Sequence, residues 1–211
     1  MSKVLLLSQS TRFCQYAGNM LAARFRGRVR HETIRTYSQA QKIAMERGTD
    51  EPVMLIWGNG TMHHFSNTLN VPDSVKYVFD NHDDDNHSVS EDYDSHNSFS
   101  MEQGVIVRVC RKIDRGSRFS IYDRSQGNGL MHISIDLDFV RGFPALPWMS
   151  CGSTEIEQLA KYVVSLAKEQ RLVRFDIGGY REMSEGPLQM QATYKQFYSA
   201  VSEQLLEIMS T

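Results

Sequence analysis

Asp80, His82 and Asp84 stand two residues apart just after the apolar run Val75–Phe79, and Asp136 and Asp138 repeat that spacing after Met131–Ile135. A spacing of two places side chains on one side of an extended segment, so each strand end can aim its donors at a common centre. With a histidine from the loop Gly58–His64, either His63 or His64, the set reaches four carboxylates and two imidazoles. Hard oxygen donors with one or two nitrogens and no thiolate suit manganese or a similar divalent ion, and so many side chains suit two ions bridged by shared carboxylates. Two close divalent ions lower the pKa of a water held between them, which makes hydrolysis the implied chemistry. Taken singly, Asp83–Asp85 has the composition of a solvated loop, and Asp136 with Asp138 that of a helix cap and a turn. Their recurrence at the ends of apolar strands is what points to a site.

The elements that must position these groups follow from periodicity. Val4–Leu7, Val53–Trp57, Val75–Phe79, Gly104–Cys110, Phe119–Tyr122, Met131–Asp136 and Leu172–Ile177 read as strands, several of them apolar throughout. Apolar residues at three- and four-residue spacing predict helices over Thr11–Arg26 and Tyr37–Arg47, the second stopped by Gly48. A further helix begins at Thr154 with Glu157 three residues on, a capping-box pattern, and a last one spans Leu188–Met209. Strands that are apolar throughout, separated by amphipathic helices, predict an α/β domain with a mainly parallel sheet covered on both faces. Ligands in such sheets bind beyond the carboxyl ends of the strands, where Trp57 leads to His63 and His64, Phe79 to Asp80 and Ile135 to Asp136.

Length and composition narrow the classes. With 211 residues and 41% hydrophobic content the chain can bury a full core, and the expectation is one domain over residues 1–211. A formal net charge of −2 without a long basic tract argues against nucleic acid or an anionic membrane surface as partner. The short run Arg24, Arg26, Arg28, Arg30 is assigned to a helix end, where cations are favourable. Four strong hydrophobes near the N-terminus are too few for a signal-peptide core and no stretch approaches a membrane span, so a cytoplasmic location is expected. Cys14, Cys110 and Cys151 are odd in number and widely spaced, which predicts reduced thiols.

The pair DxHxD at Asp80, His82 and Asp84 and SxDxD at Ser134, Asp136 and Asp138, with an earlier glycine-rich loop and histidine, resembles the ureohydrolase (arginase and agmatinase) superfamily. The resemblance implies a three-layer α/β/α fold and two Mn2+ ions that serve hydrolysis of a guanidino group to an amine and urea. It implies metal ligation by Asp80, His82, Asp84, Asp136 and Asp138, with His63 or His64 as sixth ligand. It further implies Asn86 as a contact to the amino-acid part of the substrate and His96 as a proton shuttle, with His87 as its rival.

The departures from the family pattern shape the substrate. The acidic residue that grips the guanidinium after the last strand is replaced here by Asp176-Ile177-Gly178-Gly179-Tyr180, leaving Glu182, Glu185 or Asp176 as substitutes, although an aspartate inside a strand end is as readily structural. The aspartate-proline after the second motif is replaced by Phe139-Val140-Arg141-Gly142-Phe143-Pro144. The chain is also shorter than ordinary arginases, and in this it is similar to small arginase-like enzymes that convert arginine to ornithine within peptides. A guanidino-bearing small molecule or peptide is therefore the expected partner, and the apolar stripe of the last helix allows a homo-oligomer.

Two other readings remain. His63-His64 together with Gly178-Gly179-Tyr180 is similar to histone-deacetylase-type amidohydrolases, which use one Zn2+ and a tyrosine that polarises the amide carbonyl. In that case Asp84 and one of Asp136 and Asp138 are redundant. The other is a metal-binding member of the fold that has lost catalysis, motivated by the missing guanidinium carboxylate.

Overall fold

The computed structural model describes residues 4–58, 64–81, 100, 103–110, 113, 120–121, 127–143, 152–180 and 188–211. Among these, eight strands form one sheet: β1 (Val4–Gln9), β2 (Val29–Ile34), β3 (Val53–Gly58), β4 (Val75–Phe79), β5 (Ile106–Cys110), β6 (Ser120–Ile121), β7 (Leu130–Asp136) and β8 (Arg171–Tyr180). Their order is β2-β1-β3-β8-β7-β4-β5-β6. The first seven in that order run parallel, and only β6 is antiparallel to its neighbour.

Alternation along the strands sorts the core into two layers. Val75, Tyr77 and Phe79 of β4, Met131, Ile133 and Ile135 of β7, and Phe175 and Ile177 of β8 join the main apolar cluster. Helices α1 (Arg12–Arg24), α4 (Ile156–Glu169), α5 (Leu188–Phe197) and α6 (Glu203–Met209) cover that face. On the opposite face Leu5, Leu7, Val53, Leu55 and Trp57 pack with Ala40 and Ala44 of α2 (Tyr37–Met45) and with Phe65 of the short α3 (His64–Asn67). The mainly parallel sheet covered on both faces, expected from the strand and helix pattern, is observed, and with it the three-layer α/β/α architecture that the family resemblance implies. No helix among the described residues is long and apolar enough to cross a membrane.

Five local expectations need correction. The apolar pattern predicts no strand at Val29–Ile34, where β2 forms, and only Arg24 of the basic run lies in a helix, because Arg30 belongs to β2. As the sheet's outermost strand, β2 has a mixed burial pattern with only Ile34 fully buried, so it lacks the apolar signature of the inner strands. Thr154 does not cap α4. It pairs with Val140 in an isolated bridge, its carbonyl accepts from Arg141 N at 2.8 Å, and this extended backbone delays the helix to Ile156. Glu157 instead accepts a hydrogen bond from Gln196 Nε2 at 2.6 Å. The last helix is interrupted by a π-helical turn at Tyr198–Ser202. Finally, β8 runs on to Tyr180, three residues beyond the apolar stretch that identified it.

Candidate metal centre

Strands β4 and β7 pair in parallel, with Phe79 opposite Ile135. The next residue on each is an aspartate, so one register brings Asp80 and Asp136 to the same edge of the sheet. Asp138 arrives by a different route from the one its spacing suggests. The strand ends at Asp136, and Leu137–Phe139 forms a single 3-10 turn whose N-cap is Asp136, Oδ1 accepting from Asp138 N at 3.0 Å. Leu137 and Phe139 are driven into the apolar cluster, Phe139 meeting Phe79 edge-on at 5.7 Å between ring centres. The residue between them is carried back toward Asp136. Gly152 closes this turn: its N–H donates to Asp138 O at 2.7 Å, and any Cβ there would collide with the Phe139 carbonyl.

Asp80, Asp136 and Asp138 each offer a carboxylate oxygen, and these oxygens all lie within 4.8 Å of one another, with residue exposures of 2%, 7% and 8%. Three buried oxygen donors at ligand spacing fit a hard divalent cation. The donor chemistry therefore suits the ion that the sequence motifs imply. Of the other expected ligands, His64 opens α3, while His63, His82 and Asp84 lie outside the described residues, as do Asn86, His87, His96, Glu182 and Glu185. Tyr180 is the last residue of β8, paired with Gly58.

Asp176 is the residue whose sequence assignment changes. It was a candidate for gripping a guanidinium, but it is completely buried and accepts from four donors. Oδ1 accepts from Trp57 Nε1 at 3.1 Å and Ser134 Oγ at 3.0 Å. Oδ2 accepts from Ser66 Oγ at 2.9 Å and His132 Nε2 at 2.6 Å. Its lone pairs are spent inside the protein, so it does not receive a substrate cation. Burial alone would raise its pKa, but the hydrogen bond and charge of His132, the charge of Lys76 and the Trp57 N–H bring it down to about 2. Burial dominates at His132 and lowers it to about 4 despite Asp176 beside it. Near neutral pH the pair is thus an ionised carboxylate and a neutral imidazole, and because the carboxylate only accepts, the proton sits on Nε2.

Beneath the same face Lys76, fully buried on β4, donates from Nζ to Asn67 Oδ1 at 3.1 Å, Asn70 Oδ1 at 3.3 Å and Ser100 Oγ at 3.2 Å. The signal that might have revealed this layer is the polar alternation His132-x-Ser134-x-Asp136 in an otherwise apolar strand. Gly178, opposite Asp136 in the β7–β8 register, lies under the Trp57 indole so closely that no side chain fits there.

The same fold occurs in solved ureohydrolase structures. An agmatine ureohydrolase of Thermoplasma volcanium matches with a TM-score of 0.56 and 12% identity over 99% of this chain and 89% of that one. The arginase of Entamoeba histolytica, solved with L-ornithine, matches with a TM-score of 0.54 and 14% identity over 100% of this chain and 99% of its own. The formimidoylglutamase of Bacillus subtilis reaches a TM-score of 0.63 at 11% identity, covering 100% of this chain and 87% of that one. No family model and no curated protein matches the chain. At such identities the likeness establishes the arginase-like fold, and the chemistry must be argued from the site.

Proposed function

We propose that this chain is a dinuclear manganese hydrolase of the ureohydrolase type, cleaving the guanidino group of arginine, free or within a peptide, to an amine and urea. The observation that carries the reading is the convergence of Asp80, Asp136 and Asp138 at the carboxyl ends of β4 and β7. These are members of the two motifs that first suggested the family, and the fold is the one in which arginases and agmatine ureohydrolases are built. His63 or His64, His82 and Asp84 complete the ligand set in this reading, and residues 1–211 form one cytoplasmic domain.

Ions in such a site supply Lewis acidity and lower the pKa of water. The chain's own groups do the rest: Asn86 orients the substrate and His96 delivers a proton to the leaving amine, a task suited to an imidazole titrating near pH 7. With Asp176 committed to internal donors and Gly178 covered by Trp57, the guanidinium needs a carboxylate from beyond β8, and Glu182 is assigned that role, with Tyr180 as a further substrate contact. The position of Tyr180 also favours the second reading, a zinc amidohydrolase in which this tyrosine polarises an amide carbonyl.

Urea release from arginine, agmatine and arginine-containing peptides, measured with manganese supplied, tests the proposal. Turnover of at least one substrate is expected. Failure with all three would leave the amidohydrolase or a non-catalytic metal protein.

A further inference from the structure

Asp176 bonds to side chains from both segments that carry candidate ligands around it. Trp57 lies near the end of β3, six residues before His63 in sequence, and Ser66 follows His64 by two residues in α3. Ser134 and His132 lie two and four residues before Asp136 on β7. All four donate to one carboxylate, at 2.6 to 3.1 Å, from partners 42 to 119 residues away in sequence. Ser66 Oγ and Ser134 Oγ also lie 3.0 Å apart, so the two segments meet directly over Asp176.

An apolar side chain of similar volume would fill this space without burying a charge, and buried ionic groups are often neutral or unfavourable compared with such a replacement. Elsewhere the sheet uses that simpler solution: Ile133, Phe175 and Ile177, on the same two strands but facing the other way, are all apolar and buried. The polar network is confined to the face and the strand ends that carry Asp80 and Asp136. Hydrogen bonds fix direction as well as distance, which packing does not.

We propose that Asp176 is a positioning residue that locks the histidine-bearing β3–α3 segment against the carboxylate-bearing end of β7, and so sets the affinity of the site for divalent metal. This rests on the metal reading above. Supporting contacts behind metal ligands contribute about 10- to 100-fold in affinity in proteins generally. Asp176 does so here at one remove, through the backbone of two segments.

The test is manganese binding to the full chain by calorimetry, well below the unfolding temperature, with circular dichroism to verify the fold. Asp176→Asn turns one acceptor oxygen into a donor facing donors, and is expected to weaken binding by about 10- to 100-fold. Ser66→Ala and Ser134→Ala each cut one link while leaving the carboxylate in place. Each should weaken binding severalfold, and the double variant should be little worse than the weaker-binding single, because either cut uncouples the two segments. Leu159→Ala, in the apolar layer on the far face, is the control for lost stability and should leave the dissociation constant unchanged. An unchanged constant in all folded network variants, or an equal loss in Leu159→Ala, overturns the positioning role and leaves the metal reading standing. If Asp176→Asn does not fold, the serine variants decide alone. A wild-type chain that takes up no manganese overturns the metal reading, and this inference with it.

Discussion

The two faces of strand β7 differ in kind. Met131, Ile133 and Ile135 point into the main apolar cluster beneath α4–α6, whereas His132, Ser134 and Asp136 face a layer of buried polar groups. Both faces are equally dry: His132 and Ser134 are as fully buried as Ile133. What differs is the kind of information each holds. The apolar face tolerates any arrangement of the right volume and supplies stability, while the polar face is satisfied only in one geometry, the one that brings three carboxylates together at its end.

The contrast can be broken from either side. The largest effect is expected at the strand ends, where Asp80→Ala and Asp136→Ala should each lower urea release by more than the ~100-fold attributable to supporting contacts. Metal-free Asp80→Ala should nevertheless stay folded, since the substitution removes a carboxylate from the acidic cluster and leaves the apolar layers untouched. Thermal unfolding in a chelator measures this. The opposite pattern belongs to Phe175→Ala on the apolar face, expected to cost about 3–5 kcal/mol in denaturant unfolding while leaving manganese affinity unchanged in the folded fraction.

A third test uses pH. His132 has a folded pKa of about 4 against an ordinary 6.5, so the unfolded chain binds the extra proton first as the solution is acidified. Its contribution is complete above pH 6.5 and is lost between about 6.5 and 4, amounting to about 3 kcal/mol at most. Asp176, depressed to about 2, adds a further loss below pH 4 as it is protonated. Replacing His132 by Gln, which can still donate to Asp176, should flatten the upper part of this acid limb in equilibrium unfolding.

The smallest effect is expected at Arg174, two residues before Asp176 on β8. Its guanidinium donates to the carbonyls of Gly48, Glu51 and Val173 and so pins the turn after α2 rather than the strand ends that carry the carboxylates. Arg174→Lys should cost about 1–3 kcal/mol by leaving a carbonyl unpaired, without altering metal affinity.

The two faces also differed in how far the sequence disclosed them. Val75–Phe79 is delimited to the residue, because all of it but Lys76 is apolar and Ser74 and Asp80 bound it. Asp80 and Asp136 stood out for the same reason, as charges at the ends of such runs. Asp138 was assigned to the right cluster through the wrong geometry, since nothing in a two-residue spacing distinguishes a strand from a 3-10 turn pinned by Leu137 and Phe139. For Asp176 a structural role is one of two readings of the sequence, but its partners are hidden: the four come from β3, α3 and β7, and only the strand order β3-β8-β7 makes them neighbours. Edge strand β2 was missed because partial exposure removes the apolar run that marks a strand in the interior.

In the proposed function Asp80, Asp136 and Asp138 serve a two-metal site. Crystals of the full chain grown with manganese, with anomalous scattering recorded at the metal edge, address it most directly. Two anomalous peaks per chain, both within coordinating distance of those three carboxylates, are the predicted result. A single zinc-like peak held by Asp80 and only one of Asp136 and Asp138, or no peak at the ends of β4 and β7, would contradict it.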